Sequence, residues 1–177
     1  MTGKKFLNSV ANSKIDVLQI FLNILEQTGS GYCVVGGLAV NAYVEPVVSL
    51  DLDIVVGDQG LNDVCKEAAV KGFKIEKFEH SLNLTKAGSD LRFQVQTDPR
   101  YQDFIHRATP KKVLGYKMRV AAVEDVLKGK TWAYLDKKRR PSKCQKDLAD
   151  IARIIEAYPR LRRQLPGEID GRLGETL

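Results

Sequence analysis

Asp51 and Asp53 are the residues whose type and spacing first suggest chemistry. They lie in Leu50-Asp-Leu-Asp-Ile-Val-Val56, a segment that begins by alternating and ends apolar, as a strand running into a core does. Side chains at i and i+2 of a strand leave the same face, about 7 Å apart at the backbone. Two carboxylates so placed can grip one or two Mg²⁺ ions, hard cations that take oxygen ligands. Ions held there would bind the phosphates of a nucleoside triphosphate, polarise its α-phosphorus and help activate an attacking hydroxyl. Aspartate is disfavoured in strands, and two together cost stability without a cation, so a plain exposed strand face explains the pair less well.

The same stretch carries a second feature. Tyr32-Cys-Val-Val35 is a short run of β-formers that ends at Gly36-Gly37, and thirteen residues separate those glycines from Asp51. Glycines without side chains let backbone N–H groups and the start of the following helix come close to a triphosphate. A plain turn is the alternative for the glycines alone.

The elements needed to position these residues can be read from periodicity. Helical spacing covers residues 13–27, 38–43, 61–70, 101–108, 123–135 and 142–158, and strands are expected at 32–35, 50–56, 73–78, 82–85, 91–96 and 113–120. The three strands from 73 to 96 read as an antiparallel meander whose last turn is Lys86-Ala-Gly-Ser89. From about Leu165 the chain is rich in Gly, Glu and Arg and is expected to be loosely ordered.

With 177 residues, 44% hydrophobic and 28% charged, the chain supports one core and a small helical appendage. We expect a single domain over 1–177, its sheet and helices in about 13–120 and a helical portion in about 121–160. No apolar run approaches the roughly 20 residues of a membrane span, and the opening residues lack a signal-peptide pattern, so a cytoplasmic protein is expected. Three dispersed cysteines and two histidines argue against a disulfide framework or a zinc site. His80 and His106 have no obvious partner. The net charge of +6 gathers late, at Lys137, Lys138, Arg139, Arg140, Lys143 and Lys146. Such a cluster attracts polyanions such as RNA, or else is a solvated face.

A hydrophobic residue, Gly-Gly, a spacer and Asp-x-Asp together resemble the nucleotidyltransferase superfamily. The small bacterial branch that includes the abortive-infection AbiEii-type toxins of toxin-antitoxin pairs is the most similar. That branch shows a helical lysine, an arginine and then Asp-x-x-Asp, matched in order by Lys130, Arg139 or Arg140, and Asp147-Leu-Ala-Asp150. The resemblance spans roughly residues 32 to 158. It implies an α/β (α+β) fold with a mixed twisted sheet flanked by helices and a C-terminal helical portion. It also implies transfer of a nucleoside monophosphate from a triphosphate to a hydroxyl of RNA, a protein or a small molecule. The cofactor would be Mg²⁺ or Mn²⁺ on Asp51 and Asp53, with Gly36, Gly37, Lys130 and Arg139 at the nucleotide. The alternative is a catalytically degenerate module of the same fold that binds nucleotide, RNA or a protein partner; no oligomeric state follows.

Many relatives carry an arginine and a threonine ahead of the Asp-x-Asp, where this chain has Val47 and Ser49. Active members also use a third carboxylate on a neighbouring strand. In Asp90-Leu-Arg-Phe-Gln-Val-Gln96, alternation puts Asp90 on the polar face with Arg92, Gln94 and Gln96, making Asp90 the best third catalytic acid. A register that sets Arg92 or Gln94 beside the pair would leave that acid absent. Asp98 is a poorer candidate because Pro99 ends the strand. Asp147 and Asp150 also suit a helix start electrostatically, and Trp132, Tyr134 and Tyr158 suit packing better than base stacking.

Overall fold

The computed structural model describes residues 1–174. Helices α1 (Gly3–Val10) and α2 (Val17–Gln27) lead into β1 (Tyr32–Val35), the short α3 (Gly36–Val40) and β2 (Asp51–Val56). Helix α4 (Leu61–Val70) precedes the meander β3 (Phe73–Lys77), β4 (Ser81–Lys86) and β5 (Arg92–Gln96). A 3-10 turn and α5 (Phe104–Arg107) come next, then β6 (Thr109–Val113), β7 (Tyr116–Val120), α6 (Val123–Leu135) and α7 (Pro141–Ala157). A second 3-10 turn and α8 (Gly167–Gly174) follow.

The seven strands form one mixed sheet in the order β3-β4-β5-β2-β1-β7-β6. β2 lies at its centre, antiparallel to β1 and parallel to β5. The mixed, helix-flanked sheet that the family resemblance implies is therefore the fold of the protein. Alternation on β2 sends Leu52 and Ile54 into the core and leaves Asp51 and Asp53 on the opposite face. On the apolar side Phe21 of α2 packs against Phe93 of β5, ring centres 4.5 Å apart, and Phe73 of β3 meets both. The other face receives the α6–α7 hairpin near β2 and leaves β4 and β5 polar, with Asn83, Gln94 and Gln96 only partly buried.

Four sequence expectations change. Helix α1 was not anticipated; Thr2 caps it and Leu7 is its buried anchor. The single strand expected at 113–120 is a hairpin, because Leu114 and Gly115 both adopt positive φ and reverse the chain between β6 and β7. The short helix begins at Gly36 instead of 38. The stretch after Leu165 is not loose over its described part: α8 buries Ile169 and Leu173, two apolar residues spaced one turn apart in a polar context.

Candidate active site

The turn from β1 into α3 brings the glycines under the aspartates. Val35 pairs with Asp53 across the antiparallel β1–β2 ladder, so the next residue, Gly36, passes directly beneath the Asp53 carboxylate. Gly36 has φ +65°, and a Cβ there would stand 2.0 Å from Asp53 Oδ2. No other residue type fits. At Gly37 an added Cβ would face Ser49 Oγ at 3.8 Å and Asp150 Oδ2 at 4.0 Å, so its surface looks toward the helical hairpin.

The segment before β2 is held by side chains, since it has no ladder. Asn41 donates its amide to Val47 O at 2.7 Å and accepts from Val47 N–H at 2.9 Å, imitating a strand partner. Arg153 donates to the Glu45 carbonyl. Ser49 donates to Asp51 O at 3.2 Å and receives Lys146 Nζ at 3.4 Å. Val47 and Val48, ahead of the strand, are 52% and 42% exposed.

The two aspartates live in different surroundings. Asp51 has Arg92 Nη2 at 2.7 Å from Oδ1 and Lys143 Nζ at 2.9 Å from Oδ2. Burial alone would raise its pKa, but Lys143, Arg92 and Lys146 outweigh burial and hold the carboxyl below the usual range. Among the described residues Asp53 has no hydrogen-bonding or ion-paired partner for its carboxylate. Burial pushes its pKa up; Lys130 and Arg139 oppose this from a distance, while Asp51 and Asp147 add to it. Asp53 is thus a carboxylate beside Asp51 with no cation in contact, which is the donor chemistry a divalent ion satisfies. Tyr101, in the 3-10 turn after β5, lies near enough that Asp53 adds to the burial that pushes its hydroxyl up to about 12.

Above the pair sits the helical hairpin. Lys130 of α6 is only 6% exposed, its Nζ 2.9 Å from Asp147 Oδ1 and 2.6 Å from Asp150 Oδ2. Arg139 Nε lies 2.5 Å from Asp147 Oδ2, and Arg153 Nη1 lies 2.8 Å from Asp150 Oδ1. Although burial works against its charge, the two aspartates raise the pKa of Lys130 and keep it protonated. Lys130, Arg139, Asp147 and Asp150 therefore form one buried network joining α6 to α7. Lys130 is held by the carboxylates of Asp147 and Asp150 and does not project freely, whereas the Arg139 side chain is one-third exposed.

Asp90 does not join the pair. The parallel register sets Arg92 against Asp51 and Gln94 against Asp53. The ladder opens with Arg92 N–H donating to Leu50 O, too late in the chain to include Asp90, whose own N–H goes to Ala11 O. The Asp90 carboxylate accepts from Asn12 Nδ2 instead. Asp98 caps the 3-10 turn and binds Arg100. No group of three or more His, Cys, Asp or Glu side chains suited to a metal occurs among the described residues. What sequence reasoning missed is the pairing of Asp51 with Arg92 and Lys143. The spacing of Lys143, Asp147 and Asp150 at four and three residues was a signal that these share one helix face. Trp132 and Tyr158 do pack: Trp132 stacks on Phe104 at 5.7 Å, and Tyr158 meets Tyr43 edge-on at 6.2 Å.

Beside Asp51 opens a cleft of about 310 Å³ lined by Asn83, Arg92, Gln94, Arg140 and Lys143. Its rim is cationic and its floor is amide, and Asn83 Oδ1 is buried there without a hydrogen-bond partner. Larger hollows lie elsewhere, one of about 660 Å³ between α2 and the β6–β7 hairpin, but it contains neither aspartate of the pair.

No family model and no curated protein sequence matches the chain. Solved structures do. ANT(2'')-Ia, determined in complex with adenylyl-2''-tobramycin, superposes with a TM-score of 0.62 at 12% identity over 90% of this chain and 96% of that one. The lincosamide antibiotic adenylyltransferase LnuA, lincomycin-bound, gives 0.56 at 14% identity over 81% and 99%. An antigenic nucleotidyltransferase-like protein from Paracoccidioides brasiliensis gives 0.50 at 17% identity over 78% and 74%. The likeness is one of fold, and the fold is that of nucleotidyltransferases.

Proposed function

We propose that the chain transfers a nucleoside monophosphate from a nucleoside triphosphate to a hydroxyl acceptor, with Asp51 and Asp53 as the ligands of Mg²⁺ or Mn²⁺. The observation that carries this reading is Asp53: a carboxylate without a partner, seated on the one residue type that leaves it room, next to a second carboxylate in a nucleotidyltransferase fold. Asp51 and Asp53 would hold a divalent cation that, when bound, would neutralise the triphosphate and polarise its α-phosphorus. The acceptor hydroxyl gives up its proton to water as its oxygen forms a bond to that phosphorus; the bond from phosphorus to the bridging β-phosphate oxygen breaks, and pyrophosphate leaves with the electron pair. Gly36 and Gly37 provide the side-chain-free floor. Arg139, Arg140 and Lys143 are the cations at the rim for phosphate oxygens, and Lys130 acts by fixing Asp147 and, through it, Arg139.

The charge of the cleft bears on the acceptor. Tobramycin and its relatives are polycations, and a rim of Arg92, Arg140, Lys143 and Lys146 repels them, so the reading favours an anionic acceptor such as an RNA end. A cytoplasmic enzyme of toxin type is consistent with the sequence resemblance; growth arrest on expression that disappears with Asp51→Ala would support that role, and harmless expression of the wild type would count against it.

The test is release of pyrophosphate from each of the four common triphosphates with Mg²⁺ or Mn²⁺ and pools of RNA or protein. Release that Asp53→Asn abolishes is expected. A second reading, a binding module without turnover, is favoured by one observation, the guanidinium of Arg92 set against Asp51. It predicts salt-sensitive RNA binding that survives Asp51→Ala/Asp53→Ala, with no pyrophosphate from the wild type.

A further inference from the structure

The strand beside β2 supplies the face on which a third acid would have to stand, and its residues there are Arg92, Gln94 and Gln96. Across the next ladder Arg92 is matched by Thr85 and Gln94 by Asn83. Among the described residues no carboxylate of these strands shares this face with Asp51 and Asp53 until Glu76 on β3, which is tied to Lys74 at 2.8 Å. Both oxygens of Asp51 already carry a cationic partner, Arg92 on one and Lys143 on the other, while Asp53 carries none.

Two acids and two cationic partners cancel at this site, so a first divalent ion is drawn by the unpartnered Asp53 and by the triphosphate itself. Each carboxylate oxygen has two lone pairs, so Asp51 can keep its partners and still share one ion with Asp53. A second ion on the Arg92 side would be placed against a guanidinium that cannot give up its proton.

Resting on the nucleotidyltransferase reading, we propose that this site takes one divalent cation per bound triphosphate and that Arg92 is the standing positive charge where a second would otherwise lie. Arg92 then acts by its place and its charge: set against Asp51 Oδ1, it excludes a second metal from that side and lowers affinity for the first.

The experiment counts bound Mn²⁺ by electron paramagnetic resonance, titrating the full chain in the presence of the α,β-methylene analogues of the four common triphosphates. One Mn²⁺ per chain with analogue bound is expected for the wild type, and two for Arg92→Asp. Two in the wild type, none with analogue bound, or one in a folded Arg92→Asp would each overturn the proposal. Should Arg92→Asp not fold, Arg92→Gln removes the charge at similar length and is expected to bind the first Mn²⁺ several-fold more tightly; an unchanged affinity overturns the proposal. Failure of every analogue to bind, with or without Mn²⁺, overturns the nucleotidyltransferase reading and this inference with it, whereas a count of two overturns this inference alone.

Discussion

At the scale of single residues, Asp53 is a carboxyl group whose ionised form burial disfavours. Burial raises the pKa of Asp53, so its folded value lies above its unfolded one and ionisation is easier in the unfolded chain. The sign follows: Asp53 costs no stability while protonated in both states, and costs stability once pH rises above both values. Asp53→Asn is therefore expected to unfold at higher denaturant than the wild type at pH 7, with the gap closing toward pH 4, while losing Mn²⁺ binding and transfer. Chemical denaturation of both proteins across that range checks it. By the same shift, Mn²⁺ affinity of the wild type should begin to fall at a pH above the ordinary carboxylate range. Asp51 behaves oppositely, since its folded pKa is depressed and its stabilising pairs fail only when pH drops below that of a free carboxyl. Gly36→Ala combines a positive φ with a Cβ inside the Asp53 carboxylate, and is expected to cost about 1–3 kcal/mol and to displace the ligand. The Asp51–Asp53 pair and the glycines were legible in the sequence because a strand's period of two and glycine's lack of a side chain are local properties. The partners of Asp51 were not, because Arg92 and Lys143 reach it from 41 and 92 positions away along the chain.

Elements decide which of those distant residues meet. The parallel register of β2 and β5 is set by burying Leu52 and Ile54 beside Phe93 and Val95. Alternation alone shows that Asp90, Arg92 and Gln94 share a face; it does not show which of them stands beside Asp51. That depends on where the ladder begins, and Ala11, at the end of the unanticipated α1, claims the Asp90 N–H. The β6–β7 hairpin was hidden by a two-residue turn containing Leu114, a residue type that rarely takes positive φ. Two predictions belong here. Asn41→Ala removes both bonds to Val47 and should cost about 1–3 kcal/mol by leaving that backbone unpaired, with weaker Mn²⁺ binding as the loop ahead of Asp51 loosens. Lys130→Met leaves Asp147 and Asp150 buried without their shared cation and should cost about 3–5 kcal/mol, read from the denaturation midpoint.

In the whole molecule, one continuous core runs from Leu7 of α1 to Leu173 of α8, so the helical hairpin is fixed over the sheet and the cleft between them has a set shape. Periodicity could announce the strands and the late helices, and the family resemblance the mixed sheet, yet neither showed that Lys143 and Lys146 of α7 would arrive at Asp51 and Ser49. That closure places a strongly positive rim over two carboxylates. Binding of RNA should weaken steeply with salt, and Arg140→Ala/Lys146→Ala should reduce the slope by about one for each phosphate that the rim no longer neutralises. The most direct test of the central claim is transfer of label from α-³²P-labelled ATP, CTP, GTP and UTP, with Mg²⁺ or Mn²⁺, into total RNA and total protein by the wild type and Asp51→Ala/Asp53→Ala. Label on an acceptor with the wild type and none with the variant is the predicted result. Label that persists in the variant, or none with the wild type under every triphosphate and metal, would contradict it.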